Sequence, residues 1–288
     1  MEGKSTIICS GFSLEQTLEC GQCFRWRKHE TGKYTVLAAA KKAVIEQVPC
    51  GISFLNPMTE EDTAFWNRYF DMERDYAKIQ AELSGDSYMK KAIAFGRGIH
   101  ILQQPFFETL ISFIISQNNH IPRIQGILER ISQAYGTPLG EGDFTFPTAE
   151  VLAEVSEEDF RSLGCGFRAK YLQDAARKVA EKQILEERLQ QLSAEEARQE
   201  LMQIYGVGQK VADCVLLFAL GKWEVFPADV WIRRVMSEIY FEGKEISVSI
   251  LQEEAKRRFG AYRGLAQQYL FYYGRSQKRI KKQKGEEA

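Results

Sequence analysis

Two side chains in residues 201–231, LMQIYGVGQKVADCVLLFALGKWEVFPADVW, are of types that suit chemistry. The first, Lys210, starts an apolar helix, where the dipole disfavours a cation by about 0.3 to 1 kcal/mol. A lysine held in such a place becomes a better amine nucleophile. Because a lysine at neutral pH is roughly 4 kcal/mol from its neutral form, burial or proton transfer must supply most of the activation. Alternatively, the Lys210 stem lies along the surface with its ammonium in water.

The second side chain is Asp229, which follows Pro227-Ala228 and precedes the apolar helix VWIRRVM. This is the position of an N-cap, and capping alone accounts for the residue. The two roles are compatible, since a carboxylate fixed by backbone N–H groups stays ionised and well oriented. It can then stabilise positive charge that develops on a nearby sugar.

The turn at residues 206–209 joins two predicted helices. Gly206 and Gly208 permit backbone angles that are closed to other residues, and Val207 and Gln209 complete the hairpin. The second helix starts with unpaired N–H groups that can bind a phosphate without reading sequence. Such a turn weakly indicates nucleic-acid binding. Taken by itself, it is more typical of an ordinary helix–helix connection.

Length and composition bound the fold and the partners. A chain of 288 residues is long enough for two packed units. Its 38 basic and 39 acidic residues are ordinary for a soluble protein and indicate no partner. The cysteines at 9, 20, 23, 50, 165 and 214 follow no metal-ligand spacing, since nothing complements the pair at 20 and 23. We therefore expect no metal and no cofactor.

The elements that must position these residues change in character along the chain. Residues 23–48 contain short aromatic and β-branched runs, broken at residues 30–32 and at Lys41-Lys42, which predicts an antiparallel meander. From Thr59 the apolar spacing becomes helical, and Thr59 with Asp62 resembles a capping box. The segment 105–115 is apolar on nearly every side and predicts a buried helix with Pro105 in its first turn.

Most of the remaining chain is predicted to be helical. The helices are expected near residues 60–69, 75–83, 87–95, 105–117, 122–135, 148–154, 157–163, 168–182, 194–204, 209–221, 229–240, 248–259 and 263–275. The run RSQKRIKKQK at 275–284 is typical of a solvated or disordered basic tail. The N-terminus lacks a signal peptide, and no apolar run reaches about 18 residues, so we expect an intracellular protein without membrane contact.

Together, Gly206-Val-Gly-Gln-Lys210 and Pro227-Ala-Asp229 resemble the helix-hairpin-helix and Gly/Pro-Asp signature of the DNA glycosylase superfamily. The resemblance is to the branch that bears a lysine. It implies that Lys210 attacks the sugar C1′ as the damaged base leaves and forms a Schiff base. Asp229 is implied to support this chemistry, and β-elimination of the strand can follow.

Four more segments narrow the branch. They are ISQNNHIPRI at 115–124, GFRAKY at 166–171, CGQCFRW at 20–26 and GLAQQYLF at 264–271. With the segment at 206–229, they resemble 8-oxoguanine DNA glycosylase of the type found in eukaryotes and some bacteria. The resemblance implies an α+β fold, with an N-terminal antiparallel sheet and helices (1–98, similar to TATA-binding protein). A two-lobed helical body (99–274, hairpin near 199–221) and a basic tail (275–288) follow.

The resemblance assigns four residues to the duplex around a flipped nucleotide. Asn118 is implied to fill the gap left by the base, Arg123 and Arg168 to read the opposite base as cytosine, and Phe167 to wedge between base steps. Without the resemblance, the sequence would suggest a C-capping asparagine at 118, two solvated arginines at 123 and 168, and a core phenylalanine at 167. The implied partner is duplex DNA with 8-oxoguanine opposite cytosine, bound by a monomer.

Four further residues are implied to form the pocket for the damaged base. The Gly21 carbonyl would accept the N7 hydrogen that 8-oxoguanine has and guanine lacks, and Phe271 and Cys214 would contact the two base faces. Gln267 would bond the Watson–Crick edge. Since Cys214 lies four residues after Lys210, on the same helical face, a thiolate there would oppose the nucleophile. The sequence leaves open whether that ion pair exists.

Two positions depart from the family pattern. Trp231 stands where many relatives have a histidine, and Gly274 stands where they have an acid. In the family these positions are thought to interact, so their joint change suggests that one supporting contact replaces another, with Trp231 filling the space.

Three alternative functions share parts of this sequence pattern. Endonuclease III-like glycosylases share the lysine and aspartate, but they usually carry a cysteine-ligated iron–sulfur cluster near the C-terminus, and no cysteine follows Cys214. Alkylation-repair relatives lack the lysine. A non-enzymatic hairpin module would clamp phosphates only, which leaves the joint presence of Lys210, Asp229 and the pocket segments unexplained.

Overall fold

A computed structural model describes residues 5–283 of the chain and, for 278–283, the backbone alone. The fold is α+β, with an antiparallel sheet near the N-terminus followed by helices, as the sequence predicts. Across the described residues, no helix combines the length and apolarity that a membrane crossing requires.

The main sheet has five antiparallel strands in the order β1-β5-β4-β3-β2. The predicted meander corresponds to β2, β3 and β4, while β1, β5 and a small hairpin of β6 and β7 were not predicted. The strands are β1 (Thr6–Ile8), β2 (Trp26–Lys28), β3 (Tyr34–Ala38), β4 (Lys41–Val48), β5 (Gly51–Phe54), β6 (Pro138–Gly140) and β7 (Asp143–Phe144).

The strand break predicted at Lys41-Lys42 is wrong by two residues. Both lysines lie in β4, where Lys41 pairs with Ala38. The chain turns instead at Ala39, whose φ of 51° lies in the left-handed region and whose N–H donates to Glu108 Oε2 at 2.8 Å. A contact 69 residues away in sequence fixes this turn, so local composition does not reveal it.

Fifteen α-helices are present in the described residues. They are α1 (Leu14–Glu19), α2 (Glu60–Tyr69), α3 (Tyr76–Leu83), α4 (Ser87–Phe95), α5 (Phe106–Ser116), α6 (Ile121–Tyr135), α7 (Ala149–Ala153), α8 (Glu157–Ser162), α9 (Ala169–Ala180), α10 (Glu186–Gln191), α11 (Ala194–Leu201), α12 (Gln209–Phe218), α13 (Val230–Tyr240), α14 (Val248–Phe259) and α15 (Arg263–Gln283). The short helices α1 and α10 were not predicted. Helix α15 continues through most of the stretch predicted as a tail, and 284–288 lie outside the described residues.

Several local predictions are confirmed. Thr59 and Asp62 form a reciprocal capping box at α2, and Asp229 is the N-cap of α13. Helix α5 is buried along most of its length, as its apolar composition predicts. Pro105 differs slightly, because it occupies the N-cap of α5 rather than the first turn.

Two hydrophobic cores form. The first lies between the sheet and its covering helices, around Trp66, Phe54 and Ile45. The second fills the helical body around α5, α9, α12 and α15. Helices α3 and α4 contribute Tyr76 and Met89 to this second core. The predicted domain boundaries at 98 and 274 stay predictions.

Candidate active site

A small cavity lies where α5, α12, α15 and the loop after α1 meet. We call it the base cavity. It is lined by both predicted catalytic residues and all four predicted pocket residues, together with four others. The lining residues are Gly21, Phe113, Lys210, Cys214, Phe218, Pro227, Asp229, Gln267, Gln268 and Phe271. The structure thus brings together residues that span 250 positions of sequence.

Lys210 is the second residue of α12, within its first turn as predicted. Its Nζ donates to Ser116 Oγ at 3.2 Å and lies 5.0 Å from the centre of the Phe113 ring. Ser116 Oγ in turn donates to the Phe113 carbonyl at 2.7 Å. Two residues of the buried helix α5 therefore hold the amine inside the cavity, since both the hydroxyl and the ring face attract a cation.

Asp229 caps α13 and also faces the cavity. Its Oδ1 accepts a hydrogen bond from Ile232 N at 2.7 Å, and the residue is half-buried. A capped carboxylate cannot rotate freely, so its charge stays at one place in the cavity. The two roles that the sequence suggested for Asp229 are geometrically compatible.

Cys214 lies on the cavity wall one turn after Lys210, with 3% of its surface exposed. Burial raises the pKa of its thiol to about 12, and the nearby Lys210 charge only partly offsets this. Burial therefore favours a neutral thiol over a thiolate paired with Lys210.

Gly21 forms the rim of the cavity opposite α12. Its φ is 90°, and a Cβ there would lie 3.3 Å from the Phe271 ring, so glycine suits both the backbone and the space. The next residue anchors the loop: the buried Gln22 donates to the His100 carbonyl at 2.7 Å and accepts from Leu102 N at 2.9 Å. The Gly21 peptide is therefore held firmly.

Two adjacent glutamines of α15 close the cavity. Gln267 and Gln268 are 5% and 3% exposed, and Gln268 Nε2 donates to Gln267 Oε1 at 2.9 Å. Gln267 therefore lines the cavity, and its hydrogen-bond partner Gln268 was not predicted.

The hairpin before α12 has one strained position. Gly206 has a φ of 80°, and the Tyr171 ring packs so closely that a Cβ would lie 2.3 Å from it. Gly208 instead is extended, with a φ of −101°, and caps α12. The prediction of unusual backbone angles therefore holds for Gly206 and is wrong for Gly208. A Cβ at Gly208 would meet nothing within 4 Å, which leaves the N–H groups of the first turn open to a phosphate.

A buried ion pair fixes the two helices of the hairpin. Arg198 of α11 donates to Asp213 of α12 at 2.6 Å, and the Asp213 side chain is fully buried. Burial raises the pKa of Asp213 to about 6, against the effect of Arg198. Asp213 is absent from the lining of the base cavity, and its ion pair with Arg198 holds α12 against α11.

The four residues predicted to contact the duplex lie outside the cavity, and we call them the duplex-gap face. Asn118 is exposed, two residues beyond the end of α5, with a φ of 49°. Arg123 is exposed near the start of α6, and Phe167 is 44% exposed. Burial lowers the pKa of Arg168, and the nearby charge of Arg123 lowers it further. The structure therefore brings the predicted set together.

Arg168 differs from the solvated arginine that its sequence alone suggests. It is 3% exposed and stacks on Phe167, with its guanidinium carbon 4.4 Å from the ring centre. Its Nε and Nη2 donate to the carbonyls of Gln117 and Asn118, and Nη1 donates to that of Cys165. Arg168 thus fixes the turn that presents Asn118. Whether it also reads a base stays a prediction.

The two departures from the family pattern contact each other. A Cβ at Gly274 would lie 3.5 Å from Trp231 Nε1 and 3.0 Å from Val235 Cγ2. The indole therefore occupies the space that a side chain at position 274 would need. That this packing replaces a contact made in relatives stays a prediction.

Sequence reasoning missed Phe113, Phe218 and Gln268 in the cavity lining, and Ser116 as the hydrogen-bond partner of Lys210. Ser116 and Phe113 lie on α5, which was assigned to the core because of its apolar composition. A hydroxyl at the end of an otherwise apolar helix was the available signal. Among the residues whose side chains the structure describes, no cluster of three or more His, Cys, Asp or Glu could hold a metal ion.

Comparison with known proteins covers nearly the whole chain. The family model described as 8-oxoguanine DNA glycosylase, N-terminal domain, matches residues 6–110. The model described as HhH-GPD superfamily base excision DNA repair protein matches residues 111–260. The two models meet inside α5, the helix that carries Ser116.

Similar proteins come from archaea, plants and bacteria. A protein of Methanothermobacter thermautotrophicus named "Probable N-glycosylase/DNA lyase" is 31% identical, over 93% of this chain and 95% of its own. The Arabidopsis thaliana N-glycosylase/DNA lyase OGG1 is 28% identical, over 90% and 76%. A crystal structure of Clostridium acetobutylicum 8-oxoguanine glycosylase/lyase, with double-stranded DNA containing cytosine opposite 8-oxoguanine, is 38% identical. It covers 96% of this chain and 98% of that one, with a TM-score of 0.91.

Proposed function

The chain belongs to the 8-oxoguanine DNA glycosylases of the HhH-GPD superfamily of base excision DNA repair proteins, and we propose that it excises 8-oxoguanine from duplex DNA. The enzyme is a bifunctional DNA N-glycosylase and AP lyase. It flips the damaged nucleotide into the base cavity and removes the base through a covalent bond to Lys210. It acts as a monomer inside the cell.

One observation carries the proposal. An amine and a carboxylate, Lys210 and Asp229, line the same small cavity as a flat aromatic ring, Phe271, and a carboxamide, Gln267. A nucleophile, an anion and a surface that can stack on and bond to a base are the parts that this reaction needs.

The reaction has two covalent stages. The Lys210 amine attacks C1′, the C1′–N9 bond breaks and its electron pair leaves with the base. Ring opening at O4′ then gives a protonated Schiff base between Nζ and C1′. Loss of a C2′ proton drives β-elimination, which breaks the bond from C3′ to its phosphate. Asp229 stabilises the positive charge that develops on the sugar and on the imine nitrogen.

The neutral Cys214 thiol affects the first stage. Because burial raises its pKa to about 12, it does not hold the lysine as half of an ion pair. The thiol instead supplies a small, polarisable surface against one face of the base, opposite Phe271. Ser116, the hydrogen-bond partner of Lys210 Nζ, orients the amine for its attack on C1′.

Lesion recognition rests on Gly21. We propose that its carbonyl accepts the N7 hydrogen of 8-oxoguanine, while in guanine the carbonyl would face a lone pair. An unmade hydrogen bond of this kind in a closed pocket costs about 1 to 3 kcal/mol. Gln22 anchors the loop through two hydrogen bonds. The Gly21 carbonyl therefore cannot easily turn away from guanine to avoid this cost.

The duplex-gap face contacts the DNA duplex around the flipped nucleotide. Flipping a nucleotide costs a few kcal/mol, and Asn118 fills the resulting gap while Phe167 wedges between base steps. Arg123 and Arg168 are proposed to read the opposite cytosine. Hairpin N–H groups from Gly206, Val207, Gly208 and Gln209 bind a backbone phosphate at the start of α12.

A trapping experiment tests the proposal. The protein is incubated with duplexes containing 8-oxoguanine opposite cytosine, and borohydride is added to reduce any Schiff base. We expect a covalent adduct that disappears in Lys210→Gln. Binding without an adduct would favour a phosphate clamp without catalysis. Adducts on duplexes with oxidised pyrimidines alone would favour an activity like that of endonuclease III.

A further inference from the structure

The buried side chain of Gln268 has no role in the reaction described above. Its Nε2 donates to Gln267 Oε1 at 2.9 Å, and its own Oε1 is buried without a hydrogen-bond partner among the described residues. Both carboxamides line the base cavity. A buried polar group of this kind needs a physical explanation, since most such groups in proteins are hydrogen-bonded.

The contact fixes which way the Gln267 amide points. A carboxamide has a donor and an acceptor end of nearly equal shape, so its orientation is set by its hydrogen bonds. If both amides were turned over, Gln267 would donate to Gln268 and the buried Gln268 Nε2 would have no acceptor. Buried unpaired N–H groups are rarer than undersatisfied carbonyls. The observed orientation of the pair is therefore the more stable one.

Orientation matters because two oxidised purines differ only at the edge that Gln267 faces. Both 8-oxoguanine and 8-oxoadenine carry a hydrogen on N7 and an oxygen on C8, so the Gly21 carbonyl does not distinguish them. At positions 6 and 1, guanine presents an acceptor and then a donor, while adenine presents a donor and then an acceptor. A freely rotating amide can match either edge, whereas a fixed amide matches one.

We propose that Gln268 is a positioning residue that makes the base cavity specific for oxidised guanine by holding the Gln267 amide in one orientation. The inference rests on the proposed function. In this orientation Gln267 Nε2 donates to O6 of the base, and the remaining lone pair of Oε1 accepts from N1–H. An adenine base would place its 6-amino group, a donor, against the donor Nε2 of Gln267. Its N1, an acceptor, would lie against the acceptor Oε1.

The test compares excision of 8-oxoguanine and 8-oxoadenine, each placed opposite cytosine in the same duplex, under single-turnover conditions. In Gln268→Met, which keeps the volume and removes the hydrogen bond, we expect the preference for 8-oxoguanine to fall about tenfold. Gln173→Met is the matched control, because Gln173 on α9 donates to the Val155 carbonyl and neither residue lines the cavity. Its preference should stay unchanged.

A double substitution separates positioning from general damage to the site. If Gln268 acts through Gln267, then Gln268→Met should alter the preference by less than about twofold when Gln267 is already methionine. An equal fall in both backgrounds would overturn the inference, and so would an unchanged preference in Gln268→Met. Thermal unfolding identifies a variant that does not fold, in which case Gln268→Ala takes its place with the same two criteria.

The wild-type protein keeps this inference distinct from the proposed function. If the wild type forms no borohydride adduct on 8-oxoguanine, the proposed function fails. If it forms the adduct while Gln268→Met keeps the full preference for guanine, the inference about Gln268 alone fails.

Discussion

The base cavity and the duplex-gap face differ in the structural elements that carry their residues. Cavity residues such as Lys210, Cys214 and Gln267 lie on regular helices, and buried neighbours hold each of them. The duplex-gap face has its residues at turns and helix ends, where Asn118 and Phe167 are exposed. Its one buried member, Arg168, supports the turn from behind.

This difference follows from what each region must do. Covalent chemistry requires reacting groups held within a fraction of an ångström, which packed helices provide. Gap filling requires side chains that can enter a distorted duplex, which exposed turns provide. The comparison predicts that cavity substitutions change the rate of chemistry, while substitutions on the duplex-gap face change the choice and affinity of DNA.

The largest effect is expected for Asp229→Asn. Asparagine caps a helix about as well as aspartate, so α13 should keep its stability while the anion is lost. Excision should slow by about 10² to 10³-fold, the usual cost of removing one electrostatic group that acts in the transition state. Single-turnover kinetics and thermal unfolding measure the two quantities.

Asp75→Asn is the matched control for that experiment. Asp75 caps α3 in the same way, accepting from Lys78 N at 3.0 Å, far from the cavity residues in the sequence and outside their lining. It should leave the excision rate unchanged. A similar slowing in both variants would mean that Asp229 acts through the helix alone.

The second prediction concerns pH and the support of the cavity. His100 carries the carbonyl that anchors the Gly21 loop through Gln22, and its ring is stacked on Tyr76 at 3.7 Å. Burial lowers the pKa of His100 to about 4, although Asp71 nearby acts in the opposite direction. The unfolded chain takes up this proton near pH 6.5 and the folded protein only near 4, so the contribution to stability is lost as pH falls between these values.

Titration of His100 should lower the free energy of unfolding by about 3 kcal/mol over this pH range. Urea unfolding at a series of pH values measures it, and His100→Phe, which keeps a ring against Tyr76, should flatten the curve between pH 6.5 and 4. An unchanged pH dependence in His100→Phe would show that other groups dominate. Excision by the wild type should fall over the same range if the Gly21 loop loosens with it.

The third prediction addresses the duplex-gap face. Arg168→Ala removes the donors to the carbonyls at 117 and 118, so Asn118 loses its support as well. We expect the preference for cytosine opposite the lesion to weaken by about 1 to 3 kcal/mol, with little change in the rate of the trapped chemistry once DNA is bound. Equal losses of excision activity opposite all four bases would show that Arg168 does not read the opposite base. Arg168 would then act only as the support of the turn at Asn118.

The smallest effect is expected for Cys214→Ser. Since the thiol is neutral at pH 7, a neutral hydroxyl of similar size should change excision by less than about fivefold, at a modest packing cost. The pH profile of the chemical step should keep its shape. A marked shift in that profile would indicate a thiolate paired with Lys210 and would overturn our assignment of the neutral thiol.

Several features were predictable because they depend on neighbouring residues. The capping box of Thr59 and Asp62, the N-cap at Asp229 and the buried helix α5 each have a local signature. The turn at Ala39 was not predictable, because Glu108 of α5 stabilises it. Short helices such as α10 were missed for a similar reason, since a helix of six residues owes its stability to tertiary packing.

The sequence by itself determined the types of the reacting groups and their local setting, an amine at one helix start and a carboxylate at another. It did so because caps, turns and helix starts are short-range properties of the chain. Tertiary structure alone decided the state of the Cys214 thiol, the partner of the Lys210 amine and the orientation of the Gln267 amide. Those properties depend on burial and on contacts such as that with Ser116, 94 residues away in sequence, which arise only when distant helices pack together.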